Sequence, residues 1–162
     1  MADKTIWAPW RAAFVLGKKE KGCIFCKRLK MADSARNLII YRGRLAFVIL
    51  NKYPYNAGHT MVVPKRHVGQ IELLTEDEGA ELFELTRRIV AVIKKALGPD
   101  SLNLGMNLGR GSGAGIPGHC HMHIVPRWRG DTNFMPVIGD TKIISLPLGP
   151  VYDALRKGCA KW

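Results

Sequence analysis

The stretch HCHMHIV at residues 119–125 constrains the fold more than any other part of the chain. It places three of the chain's five histidines at alternate positions, namely His119, His121 and His123. Alternate positions share one face of a β-strand. The residues between them are apolar and would face a core, and they are Cys120, Met122 and Ile124. The spacing therefore predicts a strand with a row of imidazoles on one side.

Short apolar runs and one amphipathic run surround this stretch. The apolar runs predict strands at 37–41, 45–50, 59–64 and 101–108. Thr75 and Glu78 form a capping box at the start of a long helix, which Gly98 and Pro99 end. Strands joined to one helix by short loops indicate an α+β domain. We expect an antiparallel sheet of about five strands with one long helix.

The length and composition are those of one ordinary globular domain. The chain has 162 residues, of which 47% are hydrophobic. No apolar run approaches the ~20 residues that a membrane-spanning helix needs. The apolar segment at 12–17 is too short for a signal peptide, and four scattered cysteines do not suit a disulfide framework. A cytoplasmic protein is expected.

The net charge of +12 is concentrated in the first quarter of the chain. Residues 1–44 contain eleven Lys and Arg against three Asp and Glu, a net charge of +8. Such an excess favours anionic partners, whether nucleic acid, phosphorylated small molecules or a membrane surface. A solvated basic surface that aids solubility is the alternative, and charge alone does not choose between them.

A glycine-rich segment, GRGSGAGIPG at 109–118, leads directly into the histidines. Backbone without side chains lets N–H groups approach a phosphate closely. The segment is not a P-loop, because it lacks the Gly-Lys-Ser/Thr ending and precedes a strand. A flexible loop is the alternative, but the adjoining histidines and Arg110 favour a phosphate site.

Histidines at this spacing suit two kinds of chemistry. They can converge on a metal ion, or one of them can act as a nucleophile. A neutral imidazole attacks phosphorus through its unprotonated nitrogen, so the other nitrogen must donate its hydrogen to an acceptor. Neighbouring donors must also stabilise charge on the phosphoryl oxygens.

The quoted residues resemble the histidine-triad (HIT) family. HCHMHIV fits the pattern His-φ-His-φ-His-φ-φ, in which φ is apolar, and residues 47–68 are also similar to that family. The segments at 7–11 and 113–134 are similar to its bacterial and archaeal branch, which is related to diadenosine tetraphosphate phosphorylases. The resemblance implies one HIT-like domain over 1–162. It would comprise an N-terminal arm at 1–30, a core at 35–128 and a C-terminal extension at 129–162.

The resemblance also implies catalytic and binding roles. His121 would be the nucleophile, the carbonyl of His119 would hold its tautomer, and His123 would bind the α-phosphate. His59 would support the site from behind. Nucleotide contacts are implied for Asn51 at the ribose hydroxyls and, at the phosphates, for Asn107, Ser112 and Gly113.

Cys23 and Cys26 form a C-x-x-C pair. The pair could be half of a zinc site, a redox pair or a coincidence of spacing. A redox pair expects a βαβ context, and a cysteine-only zinc site needs a second close pair; the sequence has neither. The resemblance implies a structural zinc ion held by this pair together with His67 and His119. That set leaves His121 free.

The resemblance implies a two-step nucleotidyl transfer through a covalent AMP–histidine. Phosphorolysis or hydrolysis of diadenosine tetraphosphate is the expected reaction, and Mg²⁺ on the substrate phosphates is compatible with it. The alternatives are a nucleoside phosphoramidase and a non-catalytic zinc-stabilised module that binds nucleic acid through residues 1–44. The binding module leaves the triad and the glycine loop without a role. A homodimer or higher homo-oligomer is also implied, with no membrane or nucleic-acid partner.

Overall fold

Five antiparallel strands form one sheet in the part of the chain that the structure describes. The computed structural model describes residues 22–132 and 144–162. The strands lie in the order β1-β2-β3-β5-β4. They are β1 (Ile39–Arg42), β2 (Ala46–Leu50), β3 (Thr60–Pro64), β4 (Ser101–Met106) and β5 (Met122–Arg127). The described α-helices are α1 (Ile24–Leu29), α2 (Glu76–Leu97) and α3 (Leu148–Cys159). The predicted α+β class and five-stranded sheet are confirmed.

The predicted elements at either end of the chain are only partly covered. The segment at 7–11 lies outside the described residues, as does most of the arm at 1–30. The extension at 129–162 is described except for 133–143. None of the described helices is long and apolar enough to cross a membrane.

The long helix α2 forms where the sequence predicts it. The Thr75 side chain accepts a hydrogen bond from the Glu78 N–H, and the Glu78 carboxylate accepts one from the Thr75 N–H. Gly98 ends the helix in the left-handed conformation, with φ 57°. The buried stripe of α2 packs against β2 and β3, and its apolar members are Leu82, Leu85, Ile89 and Ile93.

The central strands β2 and β3 are buried along their whole length. Strands buried on both faces are apolar throughout rather than alternating, which is why 45–50 and 59–64 stand out in the sequence. Gly43 closes the β1–β2 turn, donating its N–H to the Ala46 carbonyl at 2.9 Å. Strands β2 and β3 pair in regular register from Ala46 opposite Pro64 to Leu50 opposite Thr60.

The histidine stretch differs from the prediction at its start. Strand β5 begins at Met122, so only one residue of the triad, His123, lies on it. The Cys120 N–H bonds to the Val68 carbonyl at 2.7 Å instead of to β3, which ends at Pro64. The predicted strand over 119–125 is therefore wrong for residues 119–121. Cys120 is nevertheless buried, as the alternation predicts.

Strand β5 also runs through Pro126 to Arg127, although proline is poorly tolerated in the middle of a strand. The pairing with β3 covers only Met122 to Ile124, whereas β4 pairs with β5 as far as Arg127. Beyond Ile124 the strand has only one partner, so a proline without an N–H is tolerated there. The longer β5 carries Val125 and Arg127 on the same face as His123.

Candidate functional site

His121 is held in one tautomer by the backbone. Its Nδ1 lies 2.8 Å from the carbonyl oxygen of His119, which can only accept, so Nδ1 carries the hydrogen. In the neutral ring Nε2 is then left with a lone pair. Burial lowers the pKa of His121, so the ring is neutral near pH 7. A ring nitrogen in this state can accept a hydrogen bond or act as a nucleophile.

His59 and His123 form a second pair of imidazoles. The Tyr55 N–H donates to Nδ1 of His59 at 3.1 Å, so the hydrogen of that ring resides on Nε2. Nε2 of His59 lies 2.8 Å from Nδ1 of His123 and donates to it. The hydrogen of the neutral His123 ring is therefore on Nε2. Burial, followed by the neighbouring His121, lowers the pKa of His123 to about 4, so this ring is a neutral donor at physiological pH.

The imidazole rings pack in a continuous group. The centroids of His121 and His123 are 4.6 Å apart, and those of His59 and His123 are 5.0 Å apart. The Tyr55 ring covers this group, 4.6 Å from His59 and stacked 6.0 Å from His123. The structure thus brings together His59, His121 and His123, three of the four histidines to which the resemblance assigns catalytic roles.

A cleft of about 390 Å³ opens beside His123. Its lining residues come from the loop before β3 and from β4 and β5; they are Tyr55, Asn56, Asn103, Leu104, Gly105, Met106, Asn107, His123, Val125 and Arg127. His121 does not border this cleft and is 4% exposed. It lies one ring behind His123.

The predicted nucleotide-binding residues are only partly at the cleft. Asn107 lines it, as does His123. Ser112 is exposed and donates its hydroxyl to the Gly109 carbonyl at 2.9 Å. Gly109 and Gly113 flank this short turn with φ 76° and 77°, a conformation that favours glycine.

Asn51 is directed into its own loop. Its Oδ1 accepts from the Tyr53 N–H at 3.0 Å, and its Nδ2 lies 3.2 Å from Nδ1 of His59. The structure therefore connects Asn51 with the support of His59. Asn51 is not among the residues that line the cleft.

Arg127, which lines the cleft, forms an ion pair with Asp131. Arg127 donates two hydrogen bonds to the Asp131 carboxylate and a third to Oδ1 of Asn103. Asn56 donates to the same carboxylate at 2.7 Å and to the Pro126 carbonyl at 3.0 Å. These contacts tie the loop before β3 to the end of β5, and they lower the pKa of Asp131 to about 2, chiefly through Arg127.

Cys23, Cys26, His67 and His119 come together in what we name the Cys₂His₂ cluster. All four candidate ligand atoms lie within 4.8 Å of one another. Sγ of Cys23 is 3.2 Å from Nδ1 of His119, and Sγ of Cys26 is 3.5 Å from Nδ1 of His67. The two Nδ1 atoms are 3.3 Å apart. The four residues that the sequence analysis named as metal ligands thus converge and can hold an ion.

The second nitrogen of His119, Nε2, orients the ring for metal binding at the cluster. Nε2 donates to the Pro64 carbonyl at 2.8 Å, so Nδ1 carries no hydrogen in the neutral ring and its lone pair faces the cluster. Metal-binding histidines commonly fix their tautomer through such a bond. Burial lowers the pKa of His119, which favours the neutral ring that a metal needs.

Among the residues that the sequence analysis did not name, Phe25 and Tyr55 contact the histidine rings directly. Phe25 lies between the two cysteines, is 2% exposed, and packs against the rings of both His119 and His121. Tyr55 supplies both a ring and a backbone donor to His59. Only their positions, inside CIFC and four residues before His59, could have drawn attention to them.

Comparisons with known proteins agree with this geometry. The HIT domain family model matches residues 33–130. The AP-4-A phosphorylase of Mycobacterium tuberculosis is 48% identical over 107 residues, which are 66% of this chain and 55% of the relative. The chain thus spans about half the length of that curated relative.

Solved structures show the same fold. A hypothetical histidine triad nucleotide-binding protein from Sulfolobus tokodaii aligns with a TM-score of 0.68 and 28% identity, over 86% of this chain and 93% of that one. A Zn-bound histidine triad family protein from Mycobacterium smegmatis aligns with a TM-score of 0.69 and 25% identity, over 86% and 94% of the two chains. With its triad, its five-stranded sheet and more than half of its length matched, the chain belongs to the histidine-triad family.

Proposed function

We propose that the chain is a nucleotidyl transferase or hydrolase that acts on the α-phosphate of adenine nucleotides through a covalent AMP–histidine. Dinucleoside polyphosphates such as diadenosine tetraphosphate are the substrates we favour. The observation that carries the proposal is the bond from Nδ1 of His121 to the His119 carbonyl, which leaves Nε2 with its lone pair. The similarity to an AP-4-A phosphorylase supports the choice of substrate.

In the first step Nε2 of His121 attacks the α-phosphorus. A phosphorus–nitrogen bond forms as the bond to the bridging oxygen breaks, and diadenosine tetraphosphate would release ATP. The Nε2–H of His123 is the donor for a phosphoryl oxygen, where it stabilises developing charge. Asn107 and the glycine loop are proposed to bind the phosphates, and Asn51 the ribose. In the second step phosphate or water attacks the adduct, giving ADP or AMP and restoring the free imidazole.

Zinc is the metal we propose for the Cys₂His₂ cluster, held by Cys23, Cys26, His67 and His119. Tetrahedral zinc with bonds of about 2.3 Å to sulfur and 2.0–2.1 Å to nitrogen sets ligand atoms about 3.3–3.8 Å apart. The contacts from 3.2 to 3.7 Å in the cluster support that geometry. A closed set of four protein ligands gives zinc a structural role. The ion would join α1 to the segment after β3, which carries His67, and to the segment before β5, which carries His119. A reduced thiol pair also fits a cytoplasmic protein.

We further propose one domain over 1–162 that assembles as a homodimer. Helix α3 packs on β1 and α2, which supports treating the extension and the core as one unit. Strand β4 lies at the edge of the sheet, with Leu104 50% exposed and Leu108, just beyond it, 43% exposed. An open edge with apolar side chains favours pairing with a second copy.

The decisive experiment is to trap the adduct. The protein is incubated with diadenosine tetraphosphate, digested and analysed by mass spectrometry, and we expect an adenylate on His121. The variant His121→Asn retains an N–H for the His119 carbonyl but has no nucleophile, so turnover and adduct should both vanish. Parallel reactions with and without phosphate distinguish ADP from AMP as product. Full turnover by His121→Asn, or an adduct on another residue, would overturn the proposal.

A further inference from the structure

We propose that Phe25 is a positioning residue that couples the Cys₂His₂ cluster to His121, so that a filled cluster holds the nucleophile in its reactive orientation. The inference rests on the proposed function, in which His121 is the nucleophile and the cluster binds zinc. It assigns a further role to α1, which otherwise only delivers two ligands.

Helix α1 depends on tertiary contacts for its stability, among them hydrogen bonds from Asn37 and Arg42 to carbonyls at its C-terminal end. It is six residues long, and its N-cap, Cys23, makes no side-chain capping bond. Isolated helices of this length are unstable in water, because too few hydrogen bonds form for the residues that are ordered. Cys23 and Cys26 stand at the cap and within the helix, so a metal ion bound to both would fix the position of α1.

Phe25 lies between those two ligands and points to the catalytic side. Its ring centroid is 4.9 Å from that of His121, with a tilt of 60°, and 5.4 Å from that of His119, nearly edge-on at 78°. On its other side it meets Phe47 at 6.5 Å. At 2% exposure the Phe25 ring is enclosed, so a displacement of α1 would change its contacts with both imidazoles.

His121 is therefore held by two contacts that both lead to the cluster. One is the bond from its Nδ1 to the carbonyl of His119, whose own Nδ1 faces the cluster. The other is the Phe25 ring. Reactive groups must be held to within a fraction of an ångström, and a misplacement of about 1 Å can cost about a hundredfold in rate. An unfilled cluster would relax both contacts at once.

The experiment compares wild type and Phe25→Leu, each saturated with zinc and each stripped by a chelator. The first readout is the ring ¹⁵N spectrum of selectively labelled histidine, which reports the tautomer and Nδ1–H of His121 and requires no substrate. The second is the single-turnover rate of adduct formation with diadenosine tetraphosphate, together with KM. We expect stripping to broaden or shift the His121 signal and to slow adduct formation in the wild type at least tenfold, with KM nearly unchanged.

In Phe25→Leu with zinc we expect a change of the same kind but smaller in both the spectrum and the rate, because the bond from His121 to the His119 carbonyl is kept, and zinc content should be retained. Stripping that variant should then cost less than stripping the wild type does, because only the contact through the His119 carbonyl remains to be relaxed. Phe47→Leu is the matched control, because it makes the same change at the neighbouring buried phenylalanine. We expect it to lower stability while the His121 signal keeps its position.

The outcomes separate this inference from the proposed function. An unchanged His121 spectrum in stripped wild type overturns the coupling, whatever the substrate. Equal effects of Phe25→Leu and Phe47→Leu on the His121 signal and rate also overturn it, since they would show general core packing. If zinc controls the His121 spectrum but no adduct forms, the coupling stands and the assigned reaction is wrong.

Discussion

At the scale of single residues, His119 serves two neighbouring parts of the site with different atoms. Its side chain faces the cysteines, while its backbone oxygen orients the ring of His121. The second nitrogen of the same side chain is bonded to Pro64. Both ring nitrogens and the backbone oxygen of His119 thus have a partner, which explains why this fully buried imidazole is tolerated.

His59 is fully buried and donates a hydrogen bond to His123. His59→Phe keeps an aromatic ring but loses the donor, so His123 can adopt the tautomer that presents a lone pair to phosphate. We expect kcat to fall by up to about a hundredfold, the cost of losing one transition-state donor. Steady-state kinetics would measure it, with zinc content and thermal stability recorded alongside.

The matched control is Tyr53→Phe, a change on the same loop at a ring that is 40% exposed, for which we expect kcat within about twofold of wild type. An unchanged kcat in His59→Phe would mean that His123 does not depend on His59 for its orientation.

His119, His121 and His123 could be found from the sequence because a regular spacing marks them, whereas the roles of His59 and His67 came only from the family resemblance. Phe25 and Tyr55 could not be found in this way, because an aromatic residue in a loop or a short helix usually packs in the core. Their importance depends on which rings they meet, and those contacts are long-range. The alternating spacing also predicted too early a start for β5. It could not show that the Cys120 N–H bonds to the Val68 carbonyl, beyond the end of β3.

At the scale of elements, the contact between α2 and α3 is very close. A Cβ added at Gly158 of α3 would lie 2.4 Å from Cγ1 of Val92 in α2. Val92 is β-branched and on a helix, so it has little freedom to turn away. A glycine is therefore needed at this crossing, although glycine lowers the stability of a helix by itself.

This contrast predicts opposite effects of one substitution at two helical glycines. Gly79 lies in α2 with open space around the position of a Cβ, so Gly79→Ala should raise the free energy of unfolding by about 0.5–1 kcal/mol. Gly158→Ala should lower it by about 1–3 kcal/mol, because the clash outweighs the gain in helix propensity. Chemical denaturation of both variants measures the difference, and a stabilised Gly158→Ala would show that the two helices separate at little cost.

The helices differ in how far the sequence predicted them. Capping box, charge distribution and a terminal glycine all mark α2, so its limits agree with the structure to within one residue. Helix α3 was missed, because its first turn contains Gly149 and Pro150 and its cap Pro147 makes no side-chain bond. What stabilises α3 is tertiary: Tyr152 donates its hydroxyl to the Ile39 carbonyl, on the strand where the pairing of β1 with β2 is irregular.

At the scale of the whole molecule, acid should weaken the contact between the loop before β3 and the end of β5. The pKa of Asp131 is about 2 in the folded protein against an ordinary 3.8. The unfolded chain therefore binds this proton first, and the stability that Asp131 contributes is complete above about pH 4 and is lost as the pH falls towards 2. We expect Asp131→Asn to be less stable at pH 7 and to lose less stability than wild type over that range.

Denaturation curves at several pH values would check this prediction. The control is Asp77→Asn, whose exposed carboxylate meets Arg44 at 3.0 Å and should contribute little to stability. If Asp131→Asn and Asp77→Asn had the same acid profile, the network around Arg127 would not govern the acid response.

Strand β4 belongs both to an edge of the sheet and to the cleft. It is one of the two edge strands of the described sheet, and its residues from Asn103 to Met106 also form a wall of the cleft. A second subunit paired along it would therefore stand next to any nucleotide bound there. In such a dimer, the subunit contact and the bound substrate would lie on the same strand. A substitution that weakens this subunit contact would then also lower the affinity for substrate.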